Sequence, residues 1–109
     1  MKAYIKAVAY HLPDQVVSNE TLALQYPEWS VQKIADKTGI LRRHIAGENE
    51  CASDLAHAAA LKLFAEGACN PTDVDYVLLC TQSPDYFLPT TACLLQDRLG
   101  IPKSAGALD

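Results

Sequence analysis

Basic residues are scarce in this 109-residue chain: nine Lys and Arg stand against thirteen Asp and Glu, for a formal charge of −4. Without a basic patch there is no electrostatic footprint for a nucleic-acid backbone, and the short run Arg42-Arg43-His44 does not make one. No apolar segment reaches the roughly eighteen residues of a membrane-spanning helix. The apolar N-terminal stretch is interrupted by Lys6 and His11 and lacks a small-residue cleavage site, so it does not read as a secretory signal. A cytoplasmic protein that binds neither nucleic acid nor membrane is the expectation. Cys-x-x-Cys is missing as well. The four cysteines, Cys51, Cys69, Cys80 and Cys93, lie 18, 11 and 13 positions apart with no histidine at ligand spacing, which argues against a metal site. Their apolar surroundings predict reduced, mostly buried thiols. Repeats and low-complexity segments are absent too.

What is present is an α/β pattern. Tyr76-Val77-Leu78-Leu79-Cys80 is a continuous apolar run bounded by turn residues, as expected of a strand buried on both faces of a parallel sheet. Ser83-Pro84-Asp85 and Leu88-Pro89 then force a loop, because proline donates no amide hydrogen bond and pushes its predecessor towards extended backbone. Thr90 or Thr91 can cap the helix that follows, with Ala92, Leu94, Leu95 and Leu99 as its apolar side and Gly100 as its stop. A loop carrying Tyr86, Phe87 and Leu88 at the carboxyl end of a strand is a candidate binding element. Spacing alone favours the other reading, a hydrophobic loop that packs on a neighbouring domain or subunit. Cys93 falls near a helix start, where amide dipoles can acidify a thiol, but nothing in the sequence shows it a base.

Earlier in the chain, alternation over Ala3 to Leu12 predicts a strand, and Gln15-Val16-Val17 continues extended. Ser18 or Asn19 caps a short helix to about Gln25, which Pro27 breaks. Ser30 caps a second helix over Val31 to Lys37, and Gly39 sits where a left-handed residue is wanted. An extended segment is expected over Ile40 to Ile45. Ala52, Leu55, Ala56, Ala59, Ala60, Leu63, Phe64 and Gly67 form the stripe of a long helix whose small residues permit close approach to a neighbour. Asn70-Pro71-Thr72-Asp73 turns the chain, and Ala105 to Asp109 begins another strand. Strand, helices, strand, helix and strand in this order predict parallel crossovers. A chain that stops inside an apparent strand predicts a truncated domain.

Residues spread over essentially the whole chain carry a family resemblance. They are Leu12-Pro13 with Ser18-Asn19, Lys37-Thr38-Gly39-Ile40, Arg43-His44-Ile45-Ala46, the alanine-rich helix to Gly67, Asp73-Val74-Asp75, Pro89 to Gly100, and Ala107-Leu108-Asp109. In this order and at these separations, the sequence resembles the N-terminal part of the type III β-ketoacyl-acyl carrier protein synthases, condensing enzymes of the thiolase superfamily. The resemblance implies an α/β, mainly parallel sheet with a central alanine-rich helix. Residues 1–109 would be an incomplete N-terminal thiolase-like domain, the rest of the parent enzyme being absent.

The resemblance also implies a chemistry. Enzymes of this family are acyltransferases that move an acyl group from coenzyme A to a cysteine and condense it with malonyl-acyl carrier protein, losing CO2, to initiate fatty-acid synthesis. They are homodimers and need no cofactor beyond the coenzyme A thioester. The nucleophilic cysteine is expected shortly after Asp109, and the partner histidine and asparagine later still. So no catalytic residue falls within this chain, His11, His44 and His57 belong to structure or surface, and the chain alone is expected inactive and self-associating. Lys37 and Thr38 occupy the segment that helps hold the coenzyme A adenine. There the family has Arg-Thr-Gly-Ile, with a tryptophan five residues before the threonine. Lys33 stands at that tryptophan position, and the sole tryptophan, Trp29, lies four residues earlier. Phe87 and Leu88 fall in the loop that lines the acyl pocket across the family's dimer interface. Another acyl-CoA-primed synthase of the thiolase fold, including a relative of 3-hydroxy-3-methylglutaryl-CoA synthase, is an alternative. So is a non-catalytic module that binds an acyl carrier or partner subunit through the loop from Tyr86 to Pro89.

Overall fold

Side-chain hydroxyls decide where the first two helices begin. In the computed structural model, which describes residues 2–109, strand β1 (Gln15–Ser18) runs straight into helix α1 (Asn19–Gln25). Ser18 Oγ accepts the Thr21 amide at 3.3 Å. Helix α2 (Val31–Thr38) starts in the same way, with Ser30 Oγ accepting from the Lys33 amide at 3.2 Å. It ends on Gly39, whose φ of 68° is the left-handed conformation that glycine adopts without a Cβ penalty. Strand β2 (Arg42–Ile45) then pairs antiparallel with β1, Gln15 opposite Ile45 and Ser18 opposite Arg42.

These elements make up one of two compact units, Leu12–Asn49. Val17 and Ile34 are its buried apolar residues. Asn19, an alternative cap on sequence grounds, is instead buried, and its amide side chain is bonded at both nitrogen and oxygen. Nδ2 donates to the Ile40 carbonyl at 2.8 Å, and Oδ1 accepts from Arg43 Nη2 at 3.0 Å. A buried amide satisfied on both sides ties the start of α1 to the connection after α2. His44 Nδ1 lies 2.5 Å from the Pro13 carbonyl oxygen, so Nδ1 carries the proton and the ring anchors the start of this unit.

The other unit comprises the N-terminal residues up to His11 together with Glu50–Asp109. The strand expected over Ala3 to Leu12 is not formed: no ladder pairs it among the described residues, and Tyr4, Ile5, Val8 and Tyr10 are exposed. An alternating sequence becomes a strand only when another edge accepts its amides. Lys62 Nζ ties the segment to the alanine-rich helix by donating to the Tyr10 carbonyl at 3.2 Å.

Helix α3 (Ala52–Ala65) carries the predicted stripe. Its Ala56, Ala60 and Phe64 pack against Leu95, Leu99 and Ile101, together with Val74, Val77 and Ala105. A 3₁₀ turn (Pro71–Asp73) leads to strand β3 (Tyr76–Leu78). Helix α4 (Thr91–Arg98) is the crossover to strand β4 (Gly106–Leu108), which lies parallel to β3 with Tyr76 opposite Gly106. The expectation of a strand buried on both faces is corrected. Val77 meets the core, but Tyr76 and Leu78 are 59% and 73% exposed, because only one face of this two-stranded pair is covered among the described residues. The cysteines are free as expected but not mostly buried: Cys51, Cys80 and Cys93 are exposed and Cys69 is half-buried. Each sits at an element end or on an outer face rather than on the stripe that reaches the core. No helix among the described residues is long and apolar enough to cross a membrane.

Candidate functional site

The expected binding residues fall in two places, one in each unit. In residues 12–49, Lys37 and Thr38 close the last turn of α2. The Thr38 hydroxyl donates to the Ile34 carbonyl at 2.7 Å and accepts from the Ile40 amide at 3.1 Å. Its proton is therefore committed, and one acceptor position remains for a ligand. Lys37 lines an open recess of about 510 Å³ with Ser30, Gln32, Lys33 and Asp36. Gln32 Nε2 donates to Asp36 Oδ1 at 2.7 Å, and no ion pair forms at Lys37 among the described residues. Two ammonium groups with one carboxylate suit an anion held by charge rather than by the planar fork an arginine would offer.

Beside it, Leu22, Tyr26, Trp29, Ile34 and Thr38 enclose an apolar recess of about 240 Å³. Lys33 Nζ stands 4.4 Å from the centroid of the Trp29 ring. The cation at the position where the resemblance expects an indole thus covers one face of the indole that is present, a cation–π contact.

In residues 50–109, the loop after β3 presents Phe87 and Leu88, 101% and 81% exposed. Gln82, Pro84, Asp85, Tyr86 and Phe87 line a recess of about 310 Å³. With so little packing at its tip, the loop is held by hydrogen bonds at its base. Ser83 N donates to Thr81 Oγ1 at 3.0 Å, and Asp85 N donates to Thr91 Oγ1 at 3.3 Å. The Asp85 carboxylate accepts from the Ser53 amide in the first turn of α3 at 3.2 Å.

Capping of α4 differs from the sequence expectation. Thr90 occupies the cap position, but its hydroxyl donates to Cys93 Sγ at 3.1 Å and Thr91 lies inside the helix. The open amides of Thr91 and Ala92 instead donate to Asp109 Oδ2 and Oδ1, at 2.7 and 2.6 Å. A carboxylate at a helix N-terminus satisfies orphan donors and complements the dipole together. Arg98 completes the arrangement, with Nη1 donating to Ser53 Oγ at 2.7 Å and Nη2 pairing with Asp54 Oδ1 at 2.8 Å. The Cys51 amide, followed by Arg98, holds the Asp54 carboxyl below the usual aspartate range. Sequence reasoning missed Ser53, Asp85, Arg98 and Asp109 as a set, since their partners lie 17 to 45 positions apart.

No protein-family model matches the chain. Individual relatives do. Over 99 residues, or 91% of the chain, it is 46% identical to the β-ketoacyl-[acyl-carrier-protein] synthase III of Methylococcus capsulatus, of which it covers 30%. It is 41% identical to the synthase III of Neisseria gonorrhoeae over 107 residues, covering 98% of the chain and 33% of that protein. A crystal structure of a 3-oxoacyl-(acyl-carrier-protein) synthase III superposes on 96% of the chain with a TM-score of 0.89 and 59% identity, again over 31% of its own length. Over the stretch it spans, the chain is similar to β-ketoacyl-[acyl-carrier-protein] synthase III proteins.

That stretch is about a third of the length of the synthases it matches. Over it the thiolase-like α/β fold of synthase III is shared, and with it the expectation of an alanine-rich helix packed beside a parallel pair. Both the α2 face and the loop after β3 lie inside the part of the chain that aligns with synthase III.

Proposed function

We propose that residues 1–109 form the N-terminal portion of a thiolase-like domain in a 3-oxoacyl-[acyl-carrier-protein] synthase III, an acyltransferase that initiates fatty-acid synthesis. One observation carries this reading: identity of 46% to a synthase III across nearly the whole chain. In the proposed reaction a cysteine thiolate attacks an acyl-CoA thioester and releases the coenzyme A thiol. Decarboxylation of malonyl-acyl carrier protein then yields CO2 and a carbanion. The carbanion forms a carbon–carbon bond to the acyl carbonyl and displaces the cysteine. The present residues have binding roles in this scheme and no catalytic one. Lys37, with Lys33 beside it, offers charge to the phosphates of coenzyme A, and Thr38 offers an acceptor. Phe87 and Leu88 supply apolar surface to the acyl group, alone or across a homodimer contact. No cofactor beyond the thioester is invoked, and the location is cytoplasmic.

Acyl transfer from radiolabelled acetyl-CoA tests the proposal, run on this chain and on a chimera in which it replaces the matching stretch of the Methylococcus capsulatus synthase. Label on the chimera and none on the chain alone is expected. Label on the chain alone would move the chemistry to one of its own cysteines. A folded chimera that takes no label, beside an active parent, would remove the assignment.

A further inference from the structure

We propose that Asp109 and Asp85 are positioning residues for the apolar loop tip, Tyr86 to Leu88, and that they act through Thr91. The relay can be followed atom by atom. Asp109, at the end of β4, takes the amides of Thr91 and Ala92, both fully buried, and so fixes the first turn of α4. That turn places Thr91 Oγ1 to accept the Asp85 amide, which fixes the base of the loop. The Asp85 carboxylate reaches across to the Ser53 amide, and Arg98 returns from the last turn of α4 to the Ser53 hydroxyl. The starts of both helices are therefore closed by carboxylates that arrive from elsewhere in the unit, and the loop is the segment strung between them.

The tip itself is largely solvent-facing, with Tyr86, Phe87 and Leu88 63%, 101% and 81% exposed. Phe87 is fully exposed, and Pro84 and Pro89 have no amide to give to a ladder. The direction in which Phe87 and Leu88 point follows from where Asp85 is held, and Asp85 from where β4 ends. Movement of Asp109 is coupled by this route to the loop tip. The functional weight of the relay rests on the reading of Phe87 and Leu88 as acyl-facing, while its mechanics do not.

The test is made by nuclear magnetic resonance on the full 109-residue chain, comparing wild type with Asp109→Asn, Thr91→Val and Thr91→Ser. Thr91→Val removes the hydroxyl that accepts from Asp85 while keeping the side-chain volume, and Thr91→Ser restores that hydroxyl. In Thr91→Val, exchange of the Asp85 amide is expected to rise about tenfold or more. Backbone order parameters at Tyr86 to Leu88 should fall from the rigid range near ~0.85 towards the flexible range below ~0.6. The Leu79 amide, bonded to the Leu108 carbonyl, should not change, and Thr91→Ser should return every value to wild type. Asp109→Asn is expected to release the Thr91 and Ala92 amides and the loop together. If that variant does not fold, the Thr91 pair still decides the matter. A loop tip that is already flexible in wild type, or one that Thr91→Val leaves unchanged, would overturn the relay, as would equal loosening of the whole unit. None of these readouts depends on acyl chains. Acyl-CoA binding by the chimera with and without Phe87→Ala examines the acyl reading separately.

Discussion

Helices α1 and α2, in residues 12–49, begin on hydroxyls that lie beside them in sequence, whereas in residues 50–109 the first turns of α3 and α4 take carboxylates from far along the chain. The two solutions satisfy the same orphan amides. They differ in what each needs in place before the helix is complete. A serine cap forms with its helix, so that region can assemble from local preferences. Asp109 can close α4 only after β4 has crossed over and paired with β3, so there the helix terminus and the sheet depend on each other. Helix α3 uses both devices, since Asp54 also accepts the Cys51 amide at 2.8 Å within its own first turn.

The largest expected effect comes from breaking the remote cap. Asp109→Ala leaves two buried amides without acceptors, and at roughly 1–3 kcal/mol for each such group the loss should be about 3 kcal/mol. Urea unfolding followed by circular dichroism would measure it, and a loss under about 1 kcal/mol would show the remote cap to be no stronger than a local one. Next comes the pairing on which that cap depends. A Cβ on Gly106 would run into the Tyr76 ring, so Gly106→Ala must push the ring off β4. We expect a cost of about 2 kcal/mol, typical of overpacking. Combining it with Tyr76→Ala should recover most of this loss in the same urea assay. In the region with local caps, Ser30→Ala should cost about 1 kcal/mol, and the chemical shifts of residues 50–109 should stay as they were.

The smallest effect is one of pH. Asp54 is held below its ordinary value of 3.8 by the Cys51 amide first and Arg98 second. Its contribution is present above the ordinary aspartate range and is lost as pH falls through the lowered folded value. Exchange at the Cys51 amide, corrected for its intrinsic pH dependence, should lose protection on acidification below about pH 4. Asp54→Asn should abolish that acid response while leaving Ser18 and Ser30 capping unaffected. Because Asp54 is substantially exposed, the change belongs to the first turn of α3 and not to the stability of the chain.

This contrast also sets what the sequence made legible. Ser18, Ser30, Gly39 and the stripe of Ala56, Ala60 and Phe64 act within one or two turns of themselves, so residue type and spacing were enough to place them. Thr90 and Thr91 had the right chemistry for a cap, but a carboxylate 17 or 18 positions later took the amides, and no local pattern marks such a competitor. Residues 3–12 alternate like a strand, yet pairing belongs to two segments and only one can be read at a time. Of the candidate site, Lys37 and Thr38 came from family resemblance, whereas Phe87 and Leu88 were marked by their place at the carboxyl end of a strand, and the resemblance added only the acyl pocket. The commitment of the Thr38 hydroxyl to its own helix and the dependence of the loop on Asp85 had no signature in spacing.

Trp29, the sole indole, lies in residues 12–49 with its face beside the Lys33 ammonium. Selective excitation of that ring therefore gives an optical reporter of this region alone, blind to everything after Asn49 except through coupling. If its emission and the far-ultraviolet ellipticity of the whole chain change over one denaturant range, the two ways of starting helices belong to one cooperative transition. If the emission holds while ellipticity falls, the region closed by its own serines outlasts the one that waits for Asp109.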